Sequence, residues 1–163
     1  MIPFKIWIEN RYGKEGFWTG DKGASGILPI CTSTKRICLA WRSRAVHMGD
    51  CWGTIGGAIQ GGSPEESAKT ELKEETGYAG PIDLKPAYVF SKGSFKYYNF
   101  IGIVPNEFPF HPEHTWETDK IEWKTYEQIL TEMQEQPNHF HMGIIALFKN
   151  SKNLIDTIIG HVQ

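Results

Sequence analysis

The sequence predicts an α/β fold, a mixed sheet with one short central helix and a helical C-terminal end. Its 163 residues are enough for one domain with a sizeable core, so residues 1–163 are assigned to a single domain. Short apolar runs, several alternating with polar residues, indicate strands on both sides of one strongly marked helix. From about Glu127 onward, the apolar residues follow helical spacing instead.

Several short segments have the composition of strands. They are 3–9, 24–32, 36–42, 50–59, 84–90, 95–104 and 120–126. The polar turn 33–35 joins the second and third of them into a hairpin. Pro29 favours an edge strand or a bulge, because proline has no N–H to donate to a sheet. Gly56 and Gly57 interrupt the fourth run, which indicates that the backbone bends or approaches another group closely there.

The central helix has a start and a stop that are visible in the sequence. Ser63 is a favourable N-cap, Pro64 suits the first helical position and Glu66 completes a capping box. The helix should end at Thr76, because Gly77 can adopt the left-handed conformation that terminates helices.

The C-terminal end is predicted to form two helical pieces, separated near residues 136–138. The second piece carries one apolar stripe, formed by Ile144, Leu147, Phe148, Leu154, Ile155, Ile158 and Ile159. The preceding segment 105–116 is rich in proline and histidine and is predicted to be a loop.

The charge balance argues against a protein that grips nucleic acid. Lysine and arginine number 17 against 19 acidic residues, which gives a net charge of -2. Small-molecule phosphate chemistry remains open, because it needs only a few local cations or a metal ion.

Other features favour a cytoplasmic protein without a membrane anchor. The first residues carry Lys5, Glu9 and Arg11, which is unlike a signal peptide. No stretch approaches the ~20 apolar residues that span a bilayer. Three cysteines without C-x-x-C spacing are expected to be buried, reduced thiols.

The central helix carries three carboxylates on one face. Glu74 and Glu75 lie within about 60° and 40° of Glu71 around the helix axis. Leu72 lies among them, so this acidic face borders the surface that should pack on the sheet. Like charges at this spacing repel, and a hard divalent cation such as Mg²⁺ would compensate them. The alternative is an ordinary solvated acidic face, which is the commoner outcome for glutamate-rich helices.

A glycine-rich segment precedes this helix. It contains Gly53, Gly56, Gly57, Gly61 and Gly62. Such a segment lets backbone amides and carbonyls approach a ligand near a helix N-terminus, although plain turn formation is an alternative explanation.

Loop and helix together, over residues 56–78, resemble the Nudix box of the Nudix hydrolases. The family pattern is G, five residues, E, seven residues, then R-E-U-x-E-E-x-G-U, in which U is a bulky apolar residue. Aligned without gaps, the defining positions are matched by Gly56, Glu71, Leu72, Glu74, Glu75, Gly77 and Tyr78. Two positions depart from the pattern, since Gly62 stands at the first glutamate and Thr70 at the arginine. Arg42 or Arg44 could supply the missing positive charge.

The flanks of the box are similar to the family as well. Arg42 follows Trp41 at a predicted strand end, and Trp52-Gly53 precedes the glycines. Glu117, six residues before Trp123, is similar to the acidic residue that many members carry before their last strand. The resemblance thus extends over about residues 26–123.

This resemblance implies an α/β/α sandwich and a metal-dependent hydrolase. The expected reaction is cleavage of a nucleoside diphosphate linked to another group X, which gives a nucleotide and phosphorylated X. Mg²⁺, with Mn²⁺ as a substitute, would be held by Glu71, Glu74 and Glu75, with the Gly56 carbonyl as an additional ligand. Glu71 or Glu117 would act as the general base, with Glu113 behind Glu117.

The residues that bind substrate are less well marked. Arg42 and Arg44 are candidate phosphate contacts, although surface charges are an equal alternative. Trp52 is a candidate for stacking on a base. Other aromatic candidates, which could equally be core residues, are Phe90, Phe95, Tyr97, Tyr98 and Trp116. Loop histidines at 111 and 114 are minor candidates for catalysis, and His139 and His141 are interpreted as structural.

Three functions remain open at this point. The first is the pyrophosphohydrolase, acting on a small nucleotide substrate without membrane or nucleic-acid partners. The second is a nucleotide-binding or regulatory module that kept the fold, which the departures at Gly62 and Thr70 favour. The third is a structural protein with an acidic helix. The identity of X and the assembly are undetermined, with a homodimer as one candidate.

Overall fold

The computed structural model describes residues 23–46, 48–113 and 115–160, so the predicted strand over 3–9 lies outside the described part of the chain. The strands are β1 (Ala24–Cys31), β2 (Arg36–Arg42), β3 (Cys51–Gly53), β4 (Ile55–Ala58), β5 (Asp83–Lys92), β6 (Phe95–Val104) and β7 (Thr118–Thr125). The helices are α1 (Pro64–Thr76), α2 (Tyr126–Glu135), α3 (Met142–Asn150) and α4 (Lys152–Ile159), with a 3₁₀ turn at Pro137–His139.

A mixed sheet forms the middle layer, as predicted. β1 lies at its centre, parallel to β6 and antiparallel to β2 and β4. Strand β7 extends the sheet beside β2, and β5 forms a hairpin with β6. Successive residues of a strand face opposite sides, so Ile27 packs in the cluster under α1 while Leu28 packs in the cluster under α2, α3 and α4. The architecture is therefore α/β/α.

Pro29 lies in a central strand, so the expectation of an edge strand was wrong. On one side of β1, residues 24–27 pair with β4, and pairing with β2 is recorded at Ile30. Pro29 falls between these two antiparallel partners, where the missing N–H interrupts neither ladder. This change of partner depends on distant segments and leaves no local sequence signal.

Three element boundaries differ from the predicted ones. The run over residues 50–59 divides at Thr54, between β3 and β4, rather than at the glycines. The second C-terminal piece divides at Ser151 into α3 and α4. Tyr126 begins α2 instead of ending β7, because Thr125 caps that helix and forms a capping box with Gln128.

Helix α1 was predicted correctly at both ends. The Ser63 side chain accepts from the Glu66 N–H, the Glu66 carboxylate accepts from the Ser63 N–H, and Gly77 ends the helix at φ 83°. The helix packs on β1 and β4, with Ala68 and Leu72 buried against the sheet. Local capping thus fixes the position of the acidic side chains along the sheet.

The three cysteines are buried free thiols, in agreement with the sequence. Within residues 23–46, 48–113 and 115–160, no helix is long and apolar enough to cross a membrane.

Candidate active site

One column of α1 side chains faces the sheet at successive turns. Ser67 donates from Oγ to the Ala58 carbonyl at 3.4 Å. Glu71, one turn later, lies over Gly57, and Glu75 follows with 6% of its surface exposed. A glutamate is rarely so buried without a positive partner in direct contact, so Glu75 is the unusual residue of the column.

The Glu75 carboxylate is buried among other charges. Its Oε1 accepts from Thr118 Oγ1 at 3.3 Å, and its Oε2 has no hydrogen-bond partner among the described residues. Burial raises the pKa of Glu75 well above its ordinary value, and the nearby Glu71 and Glu117 raise it further. Arg42 and the Thr118 hydrogen bond oppose these effects. The structure therefore brings Glu71, Glu75 and Glu117 together with one cation.

Gly57 makes room for Glu71. A Cβ built on Gly57 would lie 2.7 Å from Oε1 of the Glu71 carboxylate. The predicted close approach at the glycines is thus confirmed, and the group that approaches is the acid of the helix.

Arg42 supplies positive charge near Glu75. It ends β2, and its Nε donates to the Met48 carbonyl at 3.1 Å. Met48 and Asp50 have φ values of 53° and 54°, so two non-glycine residues adopt the left-handed conformation in this loop. Such strain is retained where the surrounding structure requires it, and this loop supplies the Met48 carbonyl that accepts from Arg42.

The two departures from the box pattern have structural reasons. Thr70 is exposed, and its Oγ1 donates to the Glu66 carbonyl within the helix. Gly62 has φ 70°, and a Cβ there would lie 2.3 Å from Glu66 Oε2, the acceptor of the capping box. The capping box therefore occupies the space beside Gly62, and Arg42 provides a cation near Glu75.

Glu74 is less buried than Glu75. It is half-buried, and its carboxylate has no hydrogen bond or ion pair to any residue in the described ranges. Its carbonyl accepts from the Glu113 N–H at 3.1 Å, and the Thr76 carbonyl accepts from the His111 N–H at 2.9 Å. These bonds tie the predicted loop 105–116 to the end of α1.

Arg44 and Trp52 are not brought to this site. The Arg44 side chain is 89% exposed, and its Nε bonds Asp50 Oδ2 at 2.9 Å. Trp52 is 3% exposed in the core, packed edge-on against Trp41, and its Nε1 donates to Glu132 Oε2 at 3.0 Å. A buried indole offers no face to a base, so the expectation for Trp52 is corrected to a core role.

The Glu132 carboxylate that holds Trp52 should make the stability of the fold depend on pH. Burial raises the pKa of Glu132, but hydrogen bonds from Lys124, His139 and Trp52 and the Lys124 charge lower it below the ordinary 4.5. A carboxylate whose pKa is lowered in the folded state stabilises the fold at pH values above its ordinary pKa. This contribution is lost as the pH falls through the lowered pKa of the folded state. Glu132→Gln should therefore lower the melting temperature by about 2–4 °C at pH 7, with the difference shrinking toward pH 3.

Thermal denaturation between pH 3 and 8 measures this effect, with the exposed Glu135→Gln on the same helix as control. A difference that stays constant across the pH range would mean that Glu132 acts by packing alone.

A cavity of about 210 Å³ lies on the other face of the sheet, toward α3. Its lining is mostly apolar and includes Tyr88, Phe90, Tyr97, Asn99, His141 and Ile144. Consecutive glycines lie between the two sites. A Cβ on Gly56 would lie 2.3 Å from the Ser25 carbonyl oxygen and 2.8 Å from the Tyr97 hydroxyl of the cavity, whereas one on Gly57 would lie 2.7 Å from the Glu71 carboxylate. Arg42 also lines the cavity, so the cavity and the acids share one cation.

The aromatic residues that the sequence offered for base stacking differ in whether they line this cavity. Phe90 and Tyr97 line the cavity, whereas Phe95 is buried beside it and Tyr98 packs on the face under α1. Trp116 is 67% exposed and does not line the cavity. Among the loop histidines, His111 is exposed and His114 lies outside the described residues.

Sequence reasoning missed three residues of these sites, and for His141 it missed the position in the cavity lining. Thr118 bonds Glu75, and its only signal was its position beside Glu117. Tyr88 lies two residues before Phe90 on β5, and Asn99 lies two residues after Tyr97 on β6, so all four side chains share the face of the cavity. Asn99 Nδ2 donates to the Tyr88 carbonyl at 2.9 Å. His141 caps α3, because its Nδ1 accepts from the Gly143 N–H, and this agrees with the structural role that the sequence suggested. Its side chain also lines the cavity.

Comparison with protein families decides the affiliation of the chain. The family model described as NUDIX domain matches residues 21–143. The chain belongs to the Nudix family. It is accordingly a Nudix-type hydrolase that acts on phosphorus-containing anhydrides. A comparison with curated proteins found no match.

Solved structures share the Nudix fold. A Nudix hydrolase from M. smegmatis, RenU, has a TM-score of 0.66 and 21% identity, covering 89% of this chain and 92% of that one. A C. elegans Ap4A hydrolase binary complex has a TM-score of 0.61 and 14% identity, with coverage of 82% and 98%. The NUDIX domain of Shewanella oneidensis NrtR, complexed with ADP ribose, has a TM-score of 0.52 and 14% identity, with coverage of 80% and 88%.

Nudix hydrolases generally use divalent metal ions, and the carboxylate oxygens at this site are donors of the type that such ions bind. Glu75 Oε2 is a buried oxygen without a described hydrogen-bond partner, and the other acids near it also offer carboxylate oxygens, which are the donors that Mg²⁺ prefers. Across the described ranges, no three His, Cys, Asp or Glu side chains are already arranged to hold a metal ion. Glu71, Glu75 and Glu117 therefore offer oxygen donors of the kind that a divalent cation would need.

Proposed function

We propose that this Nudix hydrolase is a Mg²⁺-dependent pyrophosphohydrolase that cleaves a nucleoside diphosphate linked to another group. The observation that carries the proposal is the buried Glu75 carboxylate, with Oε2 unpartnered among the described residues and with Glu71 and Glu117 nearby. Such an arrangement is costly in an empty protein, because like charges and burial both disfavour it. A divalent cation would offset that cost.

The proposed ligands of the cation are Glu71, Glu74, Glu75 and the Gly56 carbonyl. A bound Mg²⁺ would neutralise phosphate charge and lower the pKa of a water molecule. Glu71 or Glu117 accepts a proton from the attacking water, whose oxygen forms a bond to phosphorus as the bridging P–O bond breaks. The products are a nucleotide and the phosphorylated second group. Arg42 contacts the phosphates, since it lies between the acids and the cavity.

The cavity is proposed to hold the nucleoside. Phe90 and Tyr97 offer aromatic surface on one side. Asn99 adds an amide whose Nδ2 is directed to the Tyr88 carbonyl. Among the described strands β4 pairs only with β1, so the diphosphate would pass around the other edge of β4, at Gly56 and Gly57, from the cavity to the acids.

Hydrolysis of a substrate panel tests the proposal. The panel contains dinucleoside polyphosphates, ADP-ribose, dinucleotide cofactors, nucleotide sugars and oxidised nucleotides, each with Mg²⁺ or Mn²⁺. We expect turnover of at least one class, with a nucleotide among the products and loss of turnover on chelation. The proposal fails if no compound is hydrolysed and calorimetry detects no uptake of either metal, with or without nucleotide.

A nucleotide-binding module without turnover is the second candidate. Thr70 at the arginine position favours it. Calorimetry that finds a panel nucleotide bound at micromolar concentration, with no product after prolonged incubation with Mg²⁺, would support this candidate over the enzyme.

Arg42 and Arg44 allow the phosphate contact to be tested with a matched pair. Arg42→Ala should lower kcat/KM about 100-fold, because the variant removes a charge that faces both the acids and the cavity. Arg44→Ala should change kcat/KM by no more than about twofold, since the Arg44 side chain is 89% exposed. Steady-state kinetics on the best panel substrate measures both. Equal losses in the two variants would contradict the assignment of Arg42.

A further inference from the structure

Ser25 on β1 is a buried polar side chain whose structural role is unexplained. The residue is 0% exposed, and its Oγ has no hydrogen-bond partner among the described residues. Buried hydroxyl groups are nearly always paired with protein or with an ordered water. Ser25 was absent from the candidate residues of the sequence, since a single serine in an apolar strand carries no motif.

The register of the sheet places the Ser25 side chain on the face that α1 covers. Ser25 lies directly opposite Gly57 in the antiparallel pair and beside Tyr98 in the parallel pair. Residues paired in this way point to the same face. Tyr98 packs in the cluster under α1, and a Cβ on Gly57 would point at the Glu71 carboxylate. Ser25 therefore lies on the face of the sheet on which the Glu71 carboxylate lies.

The register gives the approximate spacing between Ser25 and Glu71. Cβ atoms of directly opposed residues lie about 4.5–5.5 Å apart, and the Glu71 carboxylate lies 2.7 Å from the Cβ position of Gly57. The Ser25 hydroxyl has no acceptor within direct hydrogen-bond distance, and polar groups at somewhat larger separations are commonly bridged by water. The neighbouring Ser67 hydroxyl differs, because it donates to the Ala58 carbonyl.

We infer that Ser25 is a positioning residue for Glu71: its hydroxyl binds a buried water that donates to the Glu71 carboxylate and holds it over Gly57. The hydroxyl and the carboxylate approach that water from β1 and α1, so the bridge fixes the helix acid relative to the centre of the sheet. Its catalytic consequence rests on the proposed function, in which Glu71 binds metal or accepts a proton. The contact itself does not depend on turnover.

A double-mutant cycle on the metal-free protein tests the contact. The four proteins are the unchanged chain, Ser25→Ala, Glu71→Ala and the double variant, compared by thermal denaturation. Residues linked through a shared water should give non-additive changes, so the effect of Ser25→Ala should differ by about 2–4 °C between the two backgrounds. Shifts that add within about 1 °C would overturn the inference.

Kinetics tests the positioning. Ser25→Ala should lower kcat about tenfold on the best panel substrate and leave KM within about twofold, because the carboxylate is displaced and the cavity is not. Ser25→Cys fills the position with a larger sulfur atom that is only a weak donor and should lose kcat similarly. A loss in both the smaller alanine and the larger cysteine variants would exclude an empty space at position 25 as the cause. Ser67→Ala, which deletes a hydroxyl bonded to the backbone, should keep kcat within about twofold. An unchanged kcat in Ser25→Ala, or equal losses in the Ser25 and Ser67 variants, would overturn the role.

The two proposals fail separately. If no panel compound is hydrolysed, the proposed function is lost, and the stability cycle still decides whether Ser25 and Glu71 are coupled. If turnover is found and the cycle is additive, the function stands and the Ser25 inference is wrong.

Discussion

Glu75→Gln is expected to lower kcat at least about 100-fold and to raise the melting temperature of the metal-free protein by about 2–6 °C. Turnover falls because glutamine cannot supply the charged oxygen that a divalent cation requires. Stability rises because the Glu75 carboxylate is buried beside two further acids. A neutral amide of the same shape removes that repulsion. A residue that is costly for folding and required for activity is a mark of a functional site.

Steady-state kinetics and thermal denaturation with and without Mg²⁺ measure both effects. Added Mg²⁺ should raise the melting temperature of the unchanged protein and have little effect on Glu75→Gln, because a ligand stabilises only the fold that binds it. The exposed Glu65→Gln in the same helix serves as control and should behave like the unchanged protein. A loss of only two- or threefold in kcat would contradict the assignment of Glu75 as a ligand.

Gly57→Ala is the second change with a large expected effect. Its Cβ would lie 2.7 Å from the Glu71 carboxylate, and this carboxylate is the flexible end of a side chain and can move away. We therefore expect kcat to fall about 10- to 100-fold while the melting temperature changes by less than about 2 °C. The backbone of Gly57 is not left-handed, so alanine adds no strain there.

Gly61→Ala is the matched control for this change. A Cβ on Gly61 meets no atom within 4 Å, and its backbone also accepts alanine. Kinetics and thermal denaturation of the two variants should therefore differ in kcat alone. Similar kcat values in both would show that the position of Glu71 over Gly57 is unimportant for turnover.

Local signals explain which parts of the fold were predictable. The limits of α1 were correct because Ser63, Glu66 and Gly77 act within a few residues of the helix ends. The break at Thr54 and the central position of Pro29 depend on which strands pair, and pairing is decided by residues far apart in the chain. The strand predicted over 3–9 stays a prediction.

The site was predictable in composition and only partly in arrangement. Helical spacing placed Glu71, Glu74 and Glu75 on one face, but it could not show that Glu75 is buried and Glu74 is not. Trp52 was misplaced because a tryptophan beside glycines suggests a binding surface, whereas its contact with Glu132 comes from a helix 80 residues away in sequence. Roles of the acids as ligands remain proposals that the variants above can test.

The sheet between the acids and the cavity has an evolutionary consequence. The groups proposed for bond cleavage lie on one face, while Phe90, Tyr97 and Asn99 lie on the other. Substitutions in the cavity can therefore alter which compound is accepted while the acids keep their positions. Descendants of such a chain could diversify in substrate through a few changes in β5, β6 and α3, and exchanging the lining between relatives would be a direct way to engineer new selectivity.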